Sequence, residues 1–173
     1  MRCAFEPGLA VIYIALGMGG ADGVASAVAQ TGAMAWSASE AGEDEIKLGV
    51  ARPGEMNYGG LWMSCRKKSG TVMIYMQLDR KALPVIAESV KANRGIELTL
   101  RSGKTDTITY PGLGFDQHDG IWQLEVRLDL ADPVFAALAA NGRIEARGNG
   151  LSLSFAGSGI ARAWPVFSVP CKP

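Results

Sequence analysis

A single histidine, His118, lies in the turn Asp116-Gln117-His118-Asp119-Gly120, between carboxylates. An imidazole held by an Asp has its pKa raised, and the pair could serve acid–base chemistry or contribute to a metal site. A closed zinc site wants three or four protein ligands, however, and Asp and Gly are also the residues that a polar turn demands. A hydrolase using Asp116, His118 and Asp119 therefore competes with a plain connecting turn. Ser158, between Gly157 and Gly159, lacks the G-x-S-x-G frame of a nucleophile elbow and suits a helix cap better. Glu43-Asp44-Glu45 sets carboxylates at adjacent positions, the pattern of a solvated segment. Arg66-Lys67-Lys68 is a basic turn, and Gly17-Met18-Gly19-Gly20 is a nucleotide loop in composition alone, with no strand before it. No catalytic residue, metal or cofactor is assigned on these patterns.

The elements that hold such residues follow from the whole chain. Its 173 residues suit one domain, and its formal net charge is zero. A phosphate-binding surface usually shows a basic excess, so nucleic acid is not an expected partner. Residues 1–29 have the form of a signal peptide: Arg2, the apolar stretch Leu9 to Met18, and the small-residue site Ala27-Val28-Ala29 before Gln30. The rival reading is an uncleaved anchor, but Asp22 interrupts the run and its strongly apolar part falls short of the roughly 20 residues that span a bilayer. Export to the periplasm or the medium is expected, with no stable membrane insertion after cleavage.

Without the leader, and so without Cys3, two cysteines remain, Cys65 and Cys171. An exported protein meets an oxidising compartment, and two cysteines have one possible pairing. Their bond would close a loop of about 107 residues, worth about 4 to 5 kcal/mol in the chain-entropy model. The competing reading is a reactive thiol at Cys65, for which only Arg66, Lys67 and Lys68 offer a basic setting.

The mature chain, 30–173, reads as a duplicated unit at an offset near fifty residues. Gly70-Thr-Val-Met-Ile-Tyr-Met-Gln-Leu-Asp79 aligns with Gly120-Ile-Trp-Gln-Leu-Glu-Val-Arg-Leu-Asp129 without a gap. Alternate positions are apolar in both, which indicates half-buried strands. Each strand is followed by a helical segment, Pro84-Val85-Ile86-Ala87 against Pro133-Val134-Phe135-Ala136. Then come a strand opening Ile96-Glu97 or Ile144-Glu145 and a second strand whose end aligns Tyr110 to Gly114 with Phe155 to Gly159. The expected fold is α+β, mainly antiparallel sheet built from this strand-helix-strand-strand unit over about 70–114 and 120–159. Extra strands precede it at Ala33 to Ser39, Glu45 to Arg52 and Tyr58 to Arg66. A short helix from Ser158 is expected, limited by Pro165 and Pro170 and packed down by Trp164, Phe167 and Val169.

Trp62-Met-Ser-Cys65, Leu151-Ser-Leu-Ser-Phe155, Gly157, Ile160, Ala163 and Cys171 resemble features of small exported proteobacterial proteins. These include periplasmic accessory proteins of type VI secretion and the invasion-associated locus B family. The resemblance implies a periplasmic β-rich domain whose cysteine ties its two ends, with no catalytic role. The locus B family carries further cysteines that this chain lacks.

One difference between the copies points to a surface. Opposite the core face, the second strand reads Gln123, Glu125, Arg127, whereas the first reads Met73, Tyr75, Gln77. Met73 and Tyr75, with Met63 extending them, could be a partner-binding face, since interfaces favour Met and aromatic residues. The preferred reading is that the preceding N-terminal strands or the C-terminal segment cover Met73 and Tyr75. The leading expectation is a periplasmic binding or interaction module whose partner is another envelope protein, as in an accessory to an envelope or secretion assembly. The runner-up is a small exported inhibitor or ligand carrier, which needs a protruding loop or an apolar pocket.

Overall fold

The computed structural model describes residues 34–52, 59–91 and 95–173; the expected leader and its cleavage site lie outside them. Period-two alternation gives four strands in succession: β1 (Ala35–Glu40), β2 (Glu45–Ala51), β3 (Leu61–Arg66) and β4 (Thr71–Gln77). After α1 (Ala82–Lys91) come β5 (Leu98–Ser102), β6 (Thr105–Thr109), β7 (Gly112–Asp116) and β8 (Ile121–Asp129). The chain ends with α2 (Pro133–Asn141), β9 (Arg143–Gly148), β10 (Leu151–Ala156) and α3 (Ile160–Cys171). Every strand pair is antiparallel. One sheet runs β1-β2-β3-β4-β8-β7 and the other β10-β9-β5-β6, so the fold is α+β with extra N-terminal strands, as expected.

The strand-helix-strand-strand order recurs as β4-α1-β5-β6 and β8-α2-β9-β10. The pairing registers show that the repeated unit is one strand longer. Trp62 pairs with Tyr75 in β3·β4, and Gly112 with Glu125 in β7·β8, each residue advanced by fifty. Met63–Ile74 likewise becomes Leu113–Leu124, and Ser64–Met73 becomes Gly114–Gln123. β3 and β7 are therefore equivalent, and the unit begins with them rather than at Gly70 and Gly120. In the ladder joining the units, Tyr75 pairs with Glu125, its own equivalent. Thr99 pairs with Arg147 in β5·β9, at the offset of 48 that relates Ile96 to Ile144. The two units thus face each other about an approximate twofold through these pairs.

The expected match of Tyr110 with Phe155 is off by one residue. Leu98 pairs with Thr109 and its equivalent Ala146 with Leu153, so Tyr110 corresponds to Ser154. A slip of one residue exchanges the faces of a strand, and the burial agrees: Tyr110 is exposed while Phe155 packs on the core.

The helix of each unit starts from an aspartate after its strand. Asp79 Oδ1 accepts the Ala82 N–H at 2.7 Å, a cap that neighbouring Leu83 cannot supply. At α2, Asp132 Oδ1 accepts the Val134 N–H at 2.9 Å, Pro133 opens the helix, and Gly142 at φ 68° closes it. Each helix end also meets the hairpin turn of the opposite unit. Asn149 Nδ2 donates to Ser89 Oγ at 3.0 Å, and Ser102 Oγ bonds Asn141 Oδ1 at 3.3 Å.

α3 is longer than expected, twelve residues with Pro165 and Pro170 inside it. Proline withholds the N–H that would reach the carbonyl four residues back. Those carbonyls belong to Ala161 and Val166, both exposed, so water can serve them. Trp164 and Phe167 pack inward as expected, whereas Val169 is on the exposed side. Ser158 is not the cap: Gly159 holds that position, and Ser158 instead exchanges backbone hydrogen bonds with β1 and the residue before it, accepting from Trp36 at 2.8 Å and donating to Met34 at 3.0 Å. α3 lies on β1 and β2 and against α2, which packs on β5 and β6. The Cys65–Cys171 disulfide joins β3 to the last residue of α3, Cα to Cα 5.9 Å.

Candidate functional site

The polar candidates resolve into structural roles. Asp116 Oδ1 accepts the N–H groups of His118, at 2.9 Å, and of Asp119, at 3.3 Å, so its carboxylate closes a turn. His118 and Asp119 are exposed, and among the described residues no three His, Cys, Asp or Glu side chains converge as a metal set would. The basic turn is a dock for α3. The Lys68 N–H donates to the Pro170 carbonyl at 2.8 Å and that of Gly70 to the Cys171 carbonyl at 2.9 Å, satisfying acceptors at the helix end. Lys67 Nζ pairs with Glu40 at 3.1 Å on the surface.

Met73 and Tyr75 lie on the outer face of the six-stranded sheet and are half-buried. Met63 does not extend that face. It pairs with Ile74, so it points into the core with no exposed surface, and its neighbour Trp62 is the residue beside Tyr75. Antiparallel register decides this: side chains of directly paired residues share a face. Trp62 stacks on Tyr75 with centroids 5.2 Å apart and planes 13° from parallel. Burial raises the Tyr75 phenol's pKa above its ordinary value; the hydrogen bond with Ser64 opposes this, and Glu125 and Glu45 add to it. The expected covering by terminal segments is not what half-buries the pair among the described residues, because β1 and β2 extend the same sheet and α3 packs on the inner face.

A second apolar surface was not singled out in the sequence. On the inner face of β7 and β8, Leu113, Phe115 and Trp122 are 38%, 47% and 38% exposed, and Phe115 packs on Trp122 at 4.9 Å. Their equivalents fifty residues earlier, Met63, Cys65 and Val72, are 0%, 3% and 0% exposed. The same positions are thus core in one unit and surface in the other. β7 is also a sheet edge, with β8 on one side and, among the described residues, no strand on the other. On its outer face Gly112 and Gly114 carry no side chain, and a Cβ at Gly114 would strike the Glu125 carboxylate. A signal for this site was present in the fifty-residue offset itself, which sets Leu113 over Met63.

A cleft of about 940 Å³ adjoins this surface at Trp122 and is lined besides by Met34, Val50, Leu83, Leu153 and Phe155 among others. No described helix is long and apolar enough to cross a membrane. Compared with known proteins, the chain matches no family model, no curated protein and no solved structure.

Proposed function

We propose that this chain is an exported interaction module that works in an oxidising compartment as an accessory to an envelope assembly, and that it binds through Leu113, Phe115 and Trp122. The observation that carries this reading is the exposure of those three side chains at positions that are core in the other unit. Contiguous apolar surface on a folded chain marks interaction sites more often than it marks neglect. The outer-face pair makes a weaker claim, because Trp62 and Tyr75 already shield each other's rings. The disulfide fits a compartment where such bonds persist, and the leader expected at 1–29 would deliver the chain there.

Affinity capture from native envelope extracts tests the reading, with wild type beside a Leu113→Lys/Phe115→Lys variant of unchanged melting temperature. A partner retained by wild type and lost by the variant supports it. Equal capture by both removes the surface from the function. The cleft favours a second reading, a carrier of a small apolar ligand, which native mass spectrometry of the purified protein would show as a bound mass.

A further inference from the structure

The first unit shows what belongs on the bare edge of the second. The β3 edge equivalent to the open edge of β7 is occupied by β2, paired antiparallel so that Ile46 lies beside Cys65 and Leu48 beside Met63. Ile46, Leu48 and Val50 are buried on the inner face, while Glu45 and Lys47 alternate on the outer one. A strand of that pattern completes the β3 edge, and with α3 above it Met63 is removed from water. Beyond β7 neither strand nor helix follows among the described residues.

We infer that β7 accepts an extended segment of a partner protein as an added antiparallel strand, apolar at alternate positions so that its side chains meet Leu113 and Phe115. This rests on the interaction reading above and names the mode and chemistry of the partner. Three features agree with it. Unpaired backbone groups of an edge strand are a template for another chain. The glycines at 112 and 114 put no side chain of β7 itself on the outer side of that edge, where the Glu125 carboxylate lies over Gly114. The matching registers of β3·β4 and β7·β8 give an incoming strand the alignment that β2 already uses.

The probe is a synthetic peptide of residues 44–52, the β2 sequence, added to the purified disulfide-bonded protein. Amide hydrogen exchange and titration calorimetry are the readouts. The expected result is saturable binding that slows exchange within residues 112–116, weakened about tenfold or more by Leu113→Lys or Phe115→Lys. A peptide N-methylated at alternate residues keeps its side chains but loses strand donors, and it should not bind. If it binds equally well, strand addition is overturned while the apolar patch keeps its interaction role. Protection of β7 that appears without peptide and vanishes on dilution, with a dimer mass by ultracentrifugation, would make a second copy the occupant and also overturn the inference. Absence of binding by the unmodified peptide overturns it too, whereas failure of the broader reading shows separately as undiminished capture of envelope partners by the lysine variants.

Discussion

β3 and β7 hold the same place in two units whose registers agree residue for residue, yet Met63 is fully buried and Leu113 is 38% exposed. The unit itself does not decide this. What decides it is the surrounding chain: β1, β2 and α3 extend and cover the β3 side, and nothing equivalent stands beside β7 among the described residues. In a duplicated protein, then, a strand's pattern tells which face is apolar, and only the neighbours tell whether that face is core or contact surface.

The comparison breaks most visibly under charge. Met63→Lys should cost about 4 kcal/mol or more, because a lysine there is stranded without a partner in the core. Leu113→Lys, at the equivalent position, should stay within about 0.5 kcal/mol. Urea unfolding followed by far-UV circular dichroism measures both, and equal losses would mean that the β7 face is covered after all. Uncoupling the cover from β3 comes next: Cys65→Ser with Cys171→Ser should lower stability by about 4 kcal/mol and increase binding of an apolar dye. An unchanged dye signal would show that α3 stays in place without its bond.

Much of this was legible beforehand. The disulfide followed from the two cysteines left when the expected leader is set aside, and the duplication from alternating residues at Val72 to Leu78 and Trp122 to Leu128. Met63 was misplaced because sequence gives a strand's alternation but not its register, and one step in register exchanges the faces. β7 was read as the end of β6 because Tyr110 to Gly114 was aligned with Phe155 to Gly159; its separate strand depends on pairing with β8, which is not a local property. α3 outran its prolines because the carbonyls they abandon face water, a fact of packing alone.

Smaller effects sharpen the contrast at the central pair, where Tyr75 in one unit faces Glu125 in the other. The folded Tyr75 holds its proton more tightly than an unfolded tyrosine, so its contribution is whole below a pH of about 10 and is lost as pH rises through the folded value. Tyr75→Phe should therefore flatten the alkaline decline in stability, measured by unfolding at a series of pH values. An identical decline would assign that slope elsewhere, for instance to Tyr110, whose hydrogen bond with Glu97 also raises its pKa. Smallest of all, His118→Ala should shift stability by no more than about 0.5 kcal/mol and leave partner capture intact, since its side chain is exposed in a turn held by Asp116. Loss of the biological effect in that variant alone would restore an enzymatic reading.

The bond between Cys65 and Cys171, 106 residues apart, makes a covalent ring of nearly all of the chain from β3 to α3. A single protease cut at any exposed loop within that ring, such as the turn at His118, opens the polypeptide without dividing it. The nicked molecule gains only the water of hydrolysis, and its fragments part only on a reducing gel. Both units would remain tethered to each other through sulfur, so damage to the connecting turns need not part the two halves.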